Sequence, residues 1–163
     1  MVCRKMWIAL GVVSVLAGMA LAPMQAAETP AQNGPAGEHK AAHGGCLNAL
    51  GTCENGHAEV KLADGVLLIW FVGGGADTEK AVRIPDLDLT LAITLNGGKE
   101  TKSLTLKAKP NELAEEKAGD CSHFEGKADW LKGVKSFVAT GTVTFKGRKQ
   151  AVRLEYPTGY DPD

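Results

Sequence analysis

The chain has 163 residues, of which 44% are hydrophobic, with 18 Lys+Arg against 19 Asp+Glu and a formal net charge of −1. That is enough apolar material for one domain with its own core. The charges form no basic block, which excludes charge-driven binding to nucleic acid or to an anionic membrane surface.

Arg4 and Lys5 precede an apolar run over residues 6–21, followed by Ala22-Pro23-Met24-Gln25-Ala26-Ala27. A positive start, an apolar stretch and small residues at its end predict a secretory signal peptide over residues 1–27, cleaved near Ala26 or Ala27. Gly11, Gly18 and Pro23 argue against the same run as a membrane anchor, and Cys3 lies before it, where no lipoprotein cysteine would stand. The expected location is therefore periplasmic or secreted, with no membrane span after cleavage. Loss of Arg4 and Lys5 leaves a mature chain of about 136 residues with a net charge of about −3. All four methionines (Met1, Met6, Met19 and Met24) leave with it. A methionine-lined copper(I) site is excluded, so any metal must use Cys, His or carboxylate ligands.

Residues 28–42 are rich in Ala, Gly and Pro with nothing large to bury, and read as a flexible linker. Residues 43–57 then hold two of the four histidines and two of the four cysteines. Gly44, Gly45, Gly51 and Gly56 let this backbone turn sharply. The stretch predicts a folded loop entering a strand, its side chains able to converge on one point, as either a metal site or a disulfide requires.

From His57 the pattern turns to β. Ala58, Val60 and Leu62 alternate with His57, Glu59 and Lys61, placing the histidine on the face opposite the core. Asp64-Gly65 predicts a hairpin turn, and residues 66–72 are apolar throughout, as in a strand buried on both sides. Gly73-Gly74-Gly75 breaks that run. A short strand is expected over 81–84, then an alternating strand over 87–95, a turn at Asn96-Gly97 and a return over 102–107. Residues 112–117 permit a short turn of helix. Residues 121–129 predict a strand with Phe124 inward, and 137–145 another, turned at Lys146-Gly147 into a last strand over 151–156.

Seven or eight strands at hairpin spacing, with no helix of domain-building length, predict an all-β fold. An antiparallel β-sandwich, immunoglobulin-like, fits best, with a small barrel as the alternative. The domain is expected over 43–157, with 158–163 as a C-terminal tail.

Chemistry is concentrated in the Cys and His residues. Cys46, Cys53 and Cys121 are an odd number in an oxidising compartment, so one disulfide would leave one thiol. Cys46 with Cys53 is the nearest pair, and that bridge would stabilise by roughly 2–3 kcal/mol. The sharper reading is a soft-metal site drawn from His43, Cys46, Cys53, His57, Cys121 and His123. Cys121 and His123 leave one face of a strand, as do His57 and Glu59. If those strands are neighbours, four N/S ligands could surround zinc or copper. No C-x-x-C or G-x-S-x-G is present, so thiol catalysis by Cys121 and serine hydrolysis both lack their motifs, and no enzyme activity is expected. Trp70 and Trp130 read as packing, Asp86 and Asp88 as a solvated pair, and Arg153 with Glu155 as a surface charge pair.

His43-Gly44-Gly45 followed by Gly56-His57-Ala58-Glu59-Val60 resembles small secreted bacterial proteins with an HGG…H-x-E opening. Asp64-Gly65-Val66-Leu67 and the run from Ala139 to Tyr156 carry the likeness across most of the mature chain. The resemblance implies a periplasmic β-sandwich associated with heavy-metal or cation efflux systems, with an envelope efflux component as partner. His43 and His57 match its motif, whereas Cys46, Cys53 and Cys121 depart from it. The alternative is a non-catalytic interaction module, stabilised by a disulfide, whose strand edges add to a partner's sheet.

Overall fold

The computed structural model describes residues 39–162. The predicted signal peptide, and all of the predicted linker before His39, lie outside the described residues. Eight strands follow in chain order: β1 (Cys46–Ala49), β2 (His57–Ala63), β3 (Val66–Val72), β4 (Asp88–Leu95), β5 (Thr101–Ala108), β6 (His123–Lys127), β7 (Phe137–Phe145) and β8 (Arg148–Tyr156). No α-helix occurs among the described residues. The stretch expected to permit helix forms a single 3-10 turn, Glu112–Ala114.

The hairpins follow from their turn residues. Asp64-Gly65, Asn96-Gly97 and Lys146-Gly147 each place both central residues at positive φ, from 47° to 77°. That is the type I′ geometry whose twist matches the flanking strands. Alternation then sorts the side chains. Ala58 and Val60 of β2, Leu67, Ile69 and Phe71 of β3, and Leu89, Leu91 and Ile93 of β4 all enter one buried core. Phe124 of β6 points inward as expected, and the β7 residues Phe137, Ala139, Val143 and Phe145 join it. Burial of each large side chain contributes on the order of 2 kcal/mol.

The expectation of a two-sheet, immunoglobulin-like sandwich is corrected. All eight strands lie in one antiparallel sheet, in the order β1-β2-β3-β6-β5-β4-β7-β8, curled into a nearly closed barrel. The physical reason is closure between the two end strands. Asn48 of β1 points inward, opposite Ala58, and is fully buried. Its Oδ1 accepts the Glu155 N–H of β8 at 2.6 Å, while its Nδ2 donates to the carbonyls of Cys46 (3.3 Å) and Ala58 (3.4 Å). Just beyond β8, the Ala49 N–H donates to the Tyr160 carbonyl at 2.7 Å. Residues expected as a tail thus help to close the barrel.

Three smaller differences remain, the first two because pairing partners define strands. β1 arises inside the stretch expected to be a loop, because Cys46–Ala49 finds β2 as a partner. The segment expected as a strand over 81–84 makes only isolated bridges, Val72 with Ala81 and Ile84 with Cys121. On β3, Leu68 and Trp70 are only partly covered, so that strand is buried on one face rather than two.

Candidate metal centre

The site is built on the outer face of β2, where His57, Glu59 and Lys61 follow one another at alternate positions. Two of the three are nonetheless buried, His57 at 3% exposure and Glu59 at 0%. Loops and the segment before β1 cover them.

Above His57 lies the turn over residues 50–56. The Leu50 N–H donates to the Gly56 carbonyl at 2.8 Å, and Asn55 Nδ2 donates to the Leu50 carbonyl at 2.7 Å. This turn presses its backbone onto the glycine run after β3, where the Gly75 N–H donates to the Cys53 carbonyl at 3.1 Å. A Cβ at Gly74 would lie 2.2 Å from the Glu54 carbonyl oxygen and 2.5 Å from that of Cys53. The glycine run therefore does more than end β3: it admits the Cys53 turn against the sheet. From the other side, residues 39–42 cross the same face, with Thr78 Oγ1 donating to the Lys40 carbonyl at 3.2 Å.

These elements bring His39, Cys53 and His57 together, each with a ligand atom within 4.8 Å of the others. The His39 and His57 rings meet edge-on with centroids 5.1 Å apart. His57 Nδ1 lies 3.2 Å from the Gly73 carbonyl oxygen. A carbonyl can only accept, so this contact places the proton on Nδ1 and leaves the Nε2 lone pair for a metal. Burial lowers the His57 pKa, with His39 acting in the same direction and Gly73, Asp161 and Glu54 opposing. The imidazole is thereby kept neutral, the form that ligates. Cys53 Sγ donates to Asp161 Oδ2 at 3.0 Å, which brings a carboxylate beside the group.

The six predicted ligands do not form one centre. Cys53 and His57 belong to the group above; His43, Cys46, Cys121 and His123 do not. The strand carrying His57 and the strand carrying His123 are not neighbours, because β3 lies between them. Trp70 of β3 pairs across to Glu59 on one side and to His123 on the other. Its indole stacks on His43 at 4.3 Å and on His123 at 4.5 Å between ring centroids, and so separates the two histidines. Trp70 is thus a packing residue as expected, with two imidazoles as its partners.

His43 is fixed by Glu59. The Glu59 carboxylate accepts the backbone N–H groups of His43 and Gly45, both at 2.8 Å, and meets His43 Nδ1 at 2.9 Å. Three donors satisfy a carboxylate that would otherwise be costly to bury. His123 Nε2 is buried without a hydrogen-bond partner and stands 3.6 Å from Glu125 Oε1. Burial lowers its pKa, with His43 and Lys109 adding to the effect and Glu125 and Glu116 opposing it.

The disulfide expectation is corrected as well, since no disulfide joins Cys46, Cys53 and Cys121 among the described residues. Cys46 points into the barrel opposite Val60, while Cys53 rides on the outer turn, so their side chains are on opposite sides of the sheet. Burial raises the Cys46 thiol to about 11. Cys121 is also buried, its Sγ donates to the His123 carbonyl at 3.0 Å, and burial raises its pKa.

His39 is the member of this group that sequence reasoning missed. It sits in a stretch of Ala, Gly and Pro that reads as linker. The signal available was its place four residues before His43, beside Lys40.

No protein-family model, curated protein or solved structure matches this chain.

Proposed function

We propose that the protein is an exported, non-catalytic metal-binding protein of the cell envelope, holding zinc or copper through His39, Cys53 and His57. The carrying observation is the convergence of two imidazoles and a thiol within 4.8 Å on one covered face of the barrel. Two nitrogens and one sulfur suit zinc and copper, and disfavour calcium and magnesium, which take oxygen ligands. Three protein ligands leave a coordination position through which an ion can be handed on, in keeping with a role accessory to transition-metal handling or efflux. The signal-peptide pattern supports export, and the HGG…H-x-E resemblance supports an efflux component as partner.

Two observations weigh against the other readings. A nucleophilic Cys121 needs a lowered pKa, and burial moves it the other way. A module that adds its strand edges to a partner's sheet needs free edges, and here the end strands are tied together.

The test is calorimetric titration of the full chain, kept reduced, with zinc and with copper(I). Wild type is compared with His39→Ala/His57→Ala and with Cys53→Ser. Stoichiometric binding that both variants lose supports the proposal. Binding weaker than about 10 μM, an affinity of only about −7 kcal/mol, would sink it.

A further inference from the structure

His39 stands apart from Cys53 and His57 in how it reaches the metal group. His57 belongs to β2, and Cys53 rides on a turn pressed against the sheet, whereas His39 is carried by the segment that crosses the barrel before β1. Around His39 that segment meets the barrel through an edge-on ring contact with His57 and the Thr78 Oγ1 bond to the Lys40 carbonyl, at 3.2 Å. Four residues further on, at His43, it is fastened far more closely.

The fully buried Glu59 carboxylate accepts the His43 and Gly45 N–H groups, both at 2.8 Å, and meets His43 Nδ1 at 2.9 Å. Lys61 Nζ donates to the His43 carbonyl at 2.9 Å, and the His43 ring lies flat on Trp70, the two planes 2° apart. A Cβ at Gly45 would stand 2.5 Å from the Val60 carbonyl oxygen, so the backbone there rests directly on β2. His39, four residues before His43, can reach at most about 14 Å from this anchor. Glu59 and His57 are two apart on one strand, a separation of about 7 Å. The anchor therefore confines His39 to the neighbourhood of His57, which raises its effective concentration at the ion. His43 itself lies outside the ligand group.

We propose, resting on the three-ligand reading of the metal centre, that His43 is a positioning residue for the ion. Anchored on Glu59 and Trp70, it closes residues 39–45 as a strap over β2 and delivers His39 to the metal. With the strap closed, His39, Cys53 and His57 all face the ion. With the anchor released, the ion keeps Cys53 and His57 alone, so opening of the strap is the step that loosens it for transfer. Supporting residues of this kind fix the orientation of a ligand without touching the metal.

The test is zinc competition against a chromophoric chelator, using the reduced full chain in a double-mutant cycle on His39→Ala and His43→Ala. His43→Ala alone is expected to weaken zinc binding by about tenfold, as loss of a supporting residue does at other metal sites. In the His39→Ala background the same substitution should change affinity by less than about twofold, because the ligand it positions is already gone. Gly45→Ala, which lifts the strap by its clash with Val60 while leaving His43 in place, should show the same dependence on His39. The His43 side chain is 40% exposed, so its truncation should leave the barrel folded, as circular dichroism checks. An equal loss from His43→Ala in both backgrounds overturns the proposal, since His43 then acts on the ion or on the fold independently of His39. Unchanged affinity in His43→Ala also overturns it, and leaves the three-ligand reading standing if His39→Ala and Cys53→Ser still weaken binding. A wild type that binds no zinc overturns both.

Discussion

Barrel closure rests on Asn48, and its removal gives the sharpest stability prediction. In Asn48→Ala the Glu155 N–H loses the acceptor it meets at 2.6 Å, and the carbonyls of Cys46 and Ala58 lose longer contacts at 3.3 and 3.4 Å. A buried or half-buried group left without its partner costs about 1–3 kcal/mol. The short bond to Glu155 carries most of this, and the void left by the amide adds to it. The expected loss is about 2–4 kcal/mol, a large share of the roughly 5–15 kcal/mol that holds a domain folded. Urea unfolding measures it as a lower midpoint at an unchanged slope. Hydrogen exchange adds the location, since amides of β1 and of the 155–160 segment should lose protection first. Asn48→Asp sharpens the argument. It keeps an acceptor for Glu155 but sets a carboxylate oxygen against two carbonyls, so it should be at least as unstable near neutral pH. It should recover in part as acid protonates the new carboxyl. A loss below about 0.5 kcal/mol in Asn48→Ala, within the ordinary scatter of surface changes, would show that the ends of the sheet are held by something else.

Other perturbations have equally definite outcomes. Gly74→Ala drives a Cβ to 2.2 Å from the Glu54 carbonyl oxygen, so the Cys53 turn must lift; metal affinity measured by titration should fall while the core stays folded by circular dichroism. His123 has a folded pKa below its unfolded value of about 6.5. Its neutral form is the one favoured by folding, so its contribution is present above pH 6.5 and lost as pH falls toward the folded pKa. In urea unfolding across pH, His123→Phe should flatten that part of the stability profile. Glu116 behaves in the opposite sense of charge. Burial tends to raise its pKa, but the hydrogen bonds from Ser122 and Asn111, with Arg83 nearby, outweigh this and lower it. Its stabilisation is present above the unfolded carboxyl value and lost as pH falls through the folded one, a loss that Glu116→Gln should remove from acid titrations. Cys46, raised to about 11, should resist iodoacetamide at neutral pH in the native state and react once urea unfolds the chain.

The parts of the fold legible in the sequence were those with a local cause. Asp64-Gly65, Asn96-Gly97 and Lys146-Gly147 announce their turns because their residue types tolerate positive φ. The alternation of Ala58, Val60 and Leu62 with His57, Glu59 and Lys61 announces which face meets the core. What escaped depends on long-range partners. One curled sheet and two packed sheets require the same alternation, and what decides between them is long-range: β6 pairs with both β3 and β5, and the inward Asn48 meets Glu155, 107 residues away.

The site divides in the same way. His57 and Cys53 stand in a glycine-rich stretch whose composition points to them. His39 does not, because nothing local distinguishes a histidine in a linker from one that folds back over β2. A shared site for His57 and His123 requires their strands to be neighbours, and β3, with Trp70, lies between them. His43 and His123, two of the candidate ligands, both stack on its indole.

The most direct test of the metal assignment is cobalt(II) titration of the reduced full chain, read by its thiolate-to-metal charge-transfer absorption. Cobalt(II) accepts the same N and S donors as zinc, and the band reports a bound thiolate. The account predicts a saturable band at one cobalt per chain. It should be lost in Cys53→Ser, reduced in His39→Ala, and retained in Cys46→Ser and Cys121→Ser. A band that survives Cys53→Ser, or none in the wild type, would contradict it.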